Sequence, residues 1–239
     1  MLRALIWDVD GTIAETERDG HRVAFNQAFD SLGLPWHWSV SHYGELLRVT
    51  GGRERLLHFM GSRADAPPTV ATRGALALEL HARKNRCYIE IVAAGGIAAR
   101  PGVVRLIDEC RVEGVALAVA TTTGAGNVAA LFSSLIGEGW REVFTTVVCA
   151  EDAPLKKPHP QVYEMALQRL GLAPEQAFAL EDSPAGLQAA RSAGIACGVT
   201  PGVYFGAAEF DGAAWQQDDL ESPTPMTLKV LRIKLAQGG

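Results

Sequence analysis

Two carboxylates one residue apart, Asp8 and Asp10, follow the apolar run 2–7 and head the stretch D-V-D-G-T. Anions paired at the mouth of a buried strand cost free energy through desolvation and mutual repulsion unless a positive group sits against them. The polar residues that follow the other apolar runs supply such groups. Thr121, Thr122 and Thr123 follow residues 115–120, Lys156 and Lys157 come shortly after 144–149, and Glu181 and Asp182 follow 177–180. Carboxylates, hydroxyls and a lysine gathered from strand ends suit a phosphate monoester. Asp8, Asp182 and the backbone carbonyl of Asp10 are hard oxygen donors of the kind Mg²⁺ takes when it bridges to a phosphate oxygen. A threonine hydroxyl and a lysine ammonium would neutralise the remaining oxygens of the transferring group. Gly11 lets the backbone turn closely beneath the phosphate and offer its N–H.

Chemistry at strand ends needs strands. After the first one, residues 16–93 read as helical, with Phe25, Phe29 and Leu32 at i, i+4 and i+7, and show no convincing strand. The small-residue stretch 93–102 is a connector, and beyond it the texture alternates. Helices are expected over 103–113, 127–136, 161–171 and 185–193, and strands over 115–120, 144–149, 177–180 and 195–199, with a closing helix at 228–235. Short apolar strands separated by helices predict an α/β, doubly wound Rossmann-like parallel sheet whose site lies at the carboxyl ends of its strands. Residues 1–15 and 99–239 would form that core, and 16–98 an inserted all-helical cap.

Composition narrows the partners. The 239 residues carry a formal net charge of −5 and no Lys/Arg cluster, so neither nucleic acid nor an anionic membrane is an expected partner. The first residues lack a basic leader, and no apolar run reaches the roughly 18 residues of a membrane helix, which predicts a cytoplasmic protein. Cys87, Cys110, Cys149 and Cys197 lack zinc-site spacing and read as free thiols in a reducing compartment. D-x-D-G-T also resembles part of a calcium loop, but the later liganding glutamate of such a loop is not in place.

D-V-D-G-T after an apolar strand, a threonine after a second, a lysine before proline and E-D-S after a further strand, in that order, resemble the four motifs of the haloacid-dehalogenase-like phosphatase superfamily. The insert is similar to the small helical cap of the subgroup that contains β-phosphoglucomutase and phosphoglycolate phosphatase. More closely, A-E-T-E at 14–17, F-N-Q-A-F at 25–29, T-G-G-R-E-R at 50–55, A-T-T-T at 120–123 and L-E-D-S-P-A-G-L at 180–187 resemble the CbbY-like proteins. That family acts in carbon fixation (the Calvin cycle), hydrolysing xylulose 1,5-bisphosphate, an inhibitor of Rubisco. The resemblance implies Asp8 as a nucleophile that forms an aspartyl-phosphate and Asp10 as the acid that protonates the leaving oxygen and then activates water. It implies Asp182 as the second carboxylate on Mg²⁺, Glu181 beside it as a ligand or a support, and Thr121 and Lys157 on the transferring phosphate. On this reading metal contact keeps Asp8 ionised, and the surroundings of Asp10 raise its pKa.

A bisphosphate brings about four negative charges at neutral pH and needs further cations. Arg53 and Arg55 are the candidates, following Gly51 and Gly52, whose freedom suits a closing loop. Thr122, Thr123 and Asn127 would add neutral donors, and Glu17 and Tyr43 would hold sugar hydroxyls. Among the histidines, only His21, on the first cap helix near the site, is a candidate. Gly20 would weaken that helix, and Trp36 and Trp38 are expected to pack the cap. Alternatives within the fold are a phosphoglycolate phosphatase, a phosphomutase that returns phosphate to a sugar hydroxyl, and a non-catalytic phosphosugar binder. Asp10 speaks against the binder and against dehalogenation, neither of which needs a group to protonate a leaving oxygen. A monomer is expected.

Overall fold

Alternate residues of the first strand fall into two different apolar clusters, and this division organises the molecule. The computed structural model describes residues 1–237. Strand β1 (Ala4–Trp7) is buried along its whole length; Leu5 and Trp7 face one cluster, Ala4 and Ile6 the other. A strand covered on both faces belongs in the middle of a parallel sheet. β1 is central, pairing in parallel with both β2 (Ala116–Ala120) and β4 (Ala177–Glu181). With β3 (Thr146–Val148), β5 (Ala196–Val199) and β6 (Trp215–Gln216) the order is β3-β2-β1-β4-β5-β6. The order reverses direction at β1, where doubly wound sheets bind ligands.

Between β1 and β2 run a π-helical turn (Glu17–His21) and helices α1 (Arg22–Ser31), α2 (Val40–Leu46), α3 (Gly52–Gly61), α4 (Val70–Ala93) and α5 (Val103–Val112). Then come α6 (Ala125–Leu135), α7 (Trp140–Val143), α8 (Gln161–Leu170), α9 (Pro184–Ser192) and α10 (Leu228–Gln237). Helices α5, α6 and α10 cover one face of the sheet through Leu106, Leu131 and Leu231; α8 and α9 cover the other through Tyr163 and Leu187. The helices over 22–93 keep a cluster of their own, in which Phe25, Phe29, Trp36, Trp38 and Phe59 pack against one another. Trp36 and Trp38 are therefore packing residues, as expected. The two chain crossings into this insert lie side by side: Ala14 bridges Ala99, and Arg100 N–H donates to Ile13 O at 2.8 Å. The Arg100 side chain rivets the crossing, donating to Gly11 O, to Thr200 O at 2.8 Å and to Pro201 O at 3.0 Å.

Two expectations need correction. The segment around Gly20 is a π-helical turn rather than a weakened α-helix, because the backbone there passes against Tyr88 and Ile97. A Cβ on Gly20 would stand 2.9 Å from the Tyr88 ring and 2.8 Å from Ile97. The strand expected over 144–149 shrinks to Thr146–Val148, since this edge strand pairs only with β2 and is preceded by α7. The C-terminal third holds the short strand β6, whose two residues carry too little pattern to be read. All four cysteines are free. Among the described residues no helix is long and apolar enough to cross a membrane.

Candidate active site

The carboxyl ends of β1 and β4 bring their acidic residues together. Asp8, Glu181 and Asp182 are all buried, and each offers an oxygen within 4.8 Å of the others. Register explains the meeting: Trp7 pairs with Leu180, so the residues that follow emerge on neighbouring strands at the same level. Lys157, from the loop after β3, reaches across with its Nζ 2.6 Å from Asp8 Oδ1 and 2.6 Å from Glu181 Oε1. Lys156 instead donates to Ala150 O at 2.9 Å.

One lysine serves three carboxylates, and the protonation of the cluster shows the shortfall. Burial pushes Asp8 up to about 7; Lys157 opposes the rise, while Glu181 and Asp10 add to it. Burial, with the charges of Asp8 and Glu181, holds Asp182 well above the carboxylate range. Burial disfavours the Lys157 ammonium, but Asp8 and Glu181 outweigh that cost and keep it above the usual lysine range. The donor set fits a hard divalent cation: it is all oxygen, buried and short of positive charge. The fit extends to the backbone, since Cβ atoms on Gly11, at φ +90°, or on Gly202 would collide with the Asp182 carboxylate. Glu181 is already engaged, by Lys157, by the Tyr163 hydroxyl at 2.5 Å and by the Asp182 N–H at 3.3 Å. Asp8 and Asp182 are the freer donors.

Asp10 points away from this cluster. Its Oδ1 accepts from Thr16 Oγ1 at 2.6 Å and lies 3.0 Å from His21 Nε2. Burial alone would raise its pKa, yet the His21 charge, the hydrogen bonds from His21 and Thr16, and Lys84 together lower it to about 2. This runs against the expectation that the surroundings of Asp10 raise its pKa. Asp10 is surrounded by groups that favour its anion, His21, Thr16 and Lys84, whereas Asp8 shares its lysine with Glu181 and feels the charges of Glu181 and Asp10.

Above these groups two adjoining cavities of about 290 and 260 Å³ share Asp10, Glu17, Gly51, Arg55 and Thr122. The smaller is lined by Asp8, Lys157 and Asp182; the larger by Arg53, Lys84, Thr123 and Asn127. Thr122 faces both. Thr121 lies beneath, buried, its hydroxyl accepting from the Thr123 N–H at 3.2 Å. The insert contributes a linked set: the Tyr43 hydroxyl donates to Glu17 Oε2 at 2.5 Å and accepts from Arg55 at 2.8 Å. Arg55 is thus a buried scaffold, not an exposed helix charge, while Arg53 stays exposed on the cavity wall. Gly51, at φ +97°, turns the chain into α3, and Gly52 begins it.

Thr12, Thr16 and Lys84 have parts in the site that sequence pattern does not assign. Thr12 Oγ1 donates to Asp8 Oδ2 at 3.1 Å, and Thr16 holds Asp10. Lys84 is buried on α4 against the rings of Phe25 and Tyr88, and burial lowers its pKa to about 8. Its position was detectable: Ala77, Leu80, Lys84 and Tyr88 continue one helical stripe, and a lysine on a buried stripe calls for a reason.

The family model for haloacid dehalogenase-like hydrolases matches residues 2–194. Protein CbbY of Rhodobacter capsulatus is 41% identical over 230 residues, covering 96% of this chain and 99% of that protein. A crystal structure of CbbY from Rhodobacter sphaeroides with phosphate superposes with a TM-score of 0.86 at 42% identity, covering 93% of this chain and 96% of that one. A variant of the same CbbY, in complex with xylulose 1,5-bisphosphate, gives 0.87 at 41% identity over the same shares.

Proposed function

The chain belongs to the haloacid dehalogenase-like hydrolases and is a phosphatase of that family, and from this premise we propose that it hydrolyses a sugar bisphosphate, xylulose 1,5-bisphosphate above others, with Mg²⁺ as its cofactor. The observation that carries the reading is the pair of adjoining cavities. One holds the carboxylates and Lys157, and the other holds Arg53, Lys84 and Asn127. A substrate with phosphates at both ends, one beside Lys157 and the carboxylates that would hold a cation and the other beside Arg53 and Lys84, matches this pair of cavities better than a monophosphate does. The CbbY of Rhodobacter sphaeroides, 41% identical, binds such a bisphosphate.

Asp8 is the nucleophile. Its carboxylate oxygen attacks the phosphorus and the bond to the sugar oxygen breaks, leaving an aspartyl-phosphate. Asp8 and Asp182 would hold the ion with the backbone carbonyl of Asp10, and when bound it neutralises charge on the phosphate and keeps Asp8 ionised. Lys157 stays charged between Asp8 and Glu181 and offsets the charge on the transferring group. Glu181 positions Lys157, and Tyr163 positions Glu181. Thr121 and Thr122 would donate to the phosphate from the end of β2.

Asp10 takes up a proton from solvent as the phosphate dianion arrives beside it, gives that proton to the departing sugar oxygen, and then takes one from the water that attacks the aspartyl-phosphate. Its low pKa in the free protein is compatible with that role because an arriving phosphate dianion raises a neighbouring carboxyl. Thr16 and His21 both use Oδ1, so Oδ2 has no partner among the described residues and is available for the proton transfer. Residues 16–98 act as a cap that closes over the sugar, with Glu17 facing its hydroxyls and Arg53, Lys84, Thr123 and Asn127 the distal phosphate; Tyr43, expected on those hydroxyls, is buried behind the wall and holds Glu17 and Arg55 instead. We place the protein in the cytoplasm as a monomer.

The test is turnover with Mg²⁺ on xylulose 1,5-bisphosphate, ribulose 1,5-bisphosphate, 2-phosphoglycolate and β-glucose 1-phosphate, with free phosphate and isomerised sugar phosphate both measured. Phosphate release fastest from xylulose 1,5-bisphosphate is expected. Preferential hydrolysis of 2-phosphoglycolate, or isomer formed without phosphate release, would overturn the reading.

A further inference from the structure

The segment after β5, residues 201–206, touches both halves of the molecule. At one end it meets the acidic cluster: the Gly202 N–H donates to Asp182 O at 3.2 Å, and Gly202 lacks the Cβ that would strike the Asp182 carboxylate. At the other it meets the insert. The Tyr204 ring sits in a notch at Gly44 of α2, where a Cβ would come within 2.8 Å of Tyr204 Cδ1. It also meets the Tyr43 ring obliquely, centroids 5.8 Å apart. Phe205, next along, lines the smaller cavity and packs with the apolar clusters of both the sheet and the insert.

Tyr43 is the residue that hydrogen-bonds to Glu17 and Arg55 at the cavity wall. Whatever fixes the Tyr43 ring therefore fixes three residues of the insert at once. The Tyr204 hydroxyl is buried with no hydrogen-bond partner, so the ring carries the contact and the hydroxyl adds nothing to it. A contact made of one ring in one glycine notch is small enough to part and re-form as the insert moves, unlike the hydrogen-bonded Arg100 crossing.

We propose that Tyr204 is a positioning residue: its ring latches the insert onto the core through Gly44 and Tyr43, and so holds Glu17 and Arg55 where the substrate's sugar must lie. The inference rests on residues 16–98 acting as a cap. It assigns the segment after β5 a part in substrate selection, because a substrate with no sugar to reach the cap does not use the latch.

The experiment compares wild type with Tyr204→Ala, Tyr204→Phe and Gly44→Ala on two substrates. One is the best sugar phosphate of the panel above, and the other is p-nitrophenyl phosphate, which presents no sugar to the cap. Tyr204→Ala and Gly44→Ala are expected to raise KM for the sugar phosphate about five- to tenfold, the size of a lost aromatic contact, with kcat held. Aryl phosphate turnover should stay at the wild-type value in both, and Tyr204→Phe should match wild type throughout. Gly44→Ala reaches the same contact from the other side and adds a helix-favouring residue, so its folding is not at risk. An unchanged KM in Tyr204→Ala, a parallel fall on both substrates, or a Tyr204→Phe variant as impaired as Tyr204→Ala would overturn the latch. Because the substrate is chosen from the panel, a different preferred sugar phosphate would revise the proposed function while leaving this test intact.

Discussion

His21 Nε2 stands 3.0 Å from Asp10 Oδ1, and its ring stacks on Tyr88 with centroids 4.2 Å apart. The stacked ring fixes the direction of the contact, and the contact lowers the Asp10 pKa. Replacing His21 by Phe keeps the stack and removes the polar partner. The Asp10 pKa should rise, and because kcat/KM covers the step in which Asp10 gives up a proton, the basic limb of its profile should move to higher pH by about one unit. A pH profile of the variant that superposes on wild type would separate His21 from the chemistry of Asp10.

Lys157 lies buried between Asp8 and Glu181. Lys157→Met leaves two buried carboxylates uncompensated, which should cost about 3–5 kcal/mol at neutral pH in denaturant unfolding. Without the lysine, Asp8, which burial already raises, binds its proton more readily still in the folded state. Stability of the variant should therefore climb as pH falls from 7 towards the ordinary carboxylate range near 4. A deficit that stays constant across this window would contradict the account. Activity should fall by about a hundredfold or more.

Lys84 presents a different window. Burial lowers its pKa to about 8, against the pull of Glu17 and Asp10, so the folded protein gives up this proton before the unfolded chain does. Two consequences have opposite signs. KM for a bisphosphate should rise as pH passes through about 8, because a cation on the cavity wall is lost. Stability should gain from this group between about 8 and the unfolded value of 10.5. Lys84→Arg keeps the charge and should abolish the KM rise; steady-state kinetics from pH 7 to 9.5 would decide it.

Metal dependence of stability follows from Asp8. Its folded pKa of about 7 exceeds the ordinary 3.8, so without metal the group stabilises the fold progressively as pH falls from about 7 towards 4 and contributes nothing above that window. A divalent cation competes with that proton. Thermal melts with Mg²⁺ and with chelator should differ more at pH 8 than at pH 5.5, and Asp8→Asn should shrink the difference at both. Equal gaps at the two pH values would mean that the ion binds elsewhere.

The legible parts of the site share a cause. Asp8, Thr122, Lys157 and Asp182 each follow an apolar run, and strand ends in a doubly wound sheet converge whatever lies between them. The cap did not yield to the same reasoning. Lys84 and Arg55 are charges on helices, and whether such a charge meets solvent or a cavity depends on how the helices pack, which no local pattern records. Thr16 was hidden for a smaller reason: a threonine six residues from Asp10 reaches it only because the intervening chain turns back, with the Gly11 N–H donating to Ala14 O at 2.8 Å. The lowering of Asp10 is not legible in the sequence because it depends on His21, Thr16 and Lys84 meeting one carboxyl, an arrangement that exists only once the fold does.

Trp7 opposite Leu180 has one more consequence. Hydrogen-bonded strands repeat at about 4.8 Å, so the gap between Asp8 and its neighbours on β4 is set by the backbone ladder and not by the reach of side chains. The sheet works as a gauge block: it offers an ion-sized opening between two adjacent rungs before any side chain has chosen a rotamer. A slip of one residue between β1 and β4 would turn Asp8 to the opposite face and close the opening altogether.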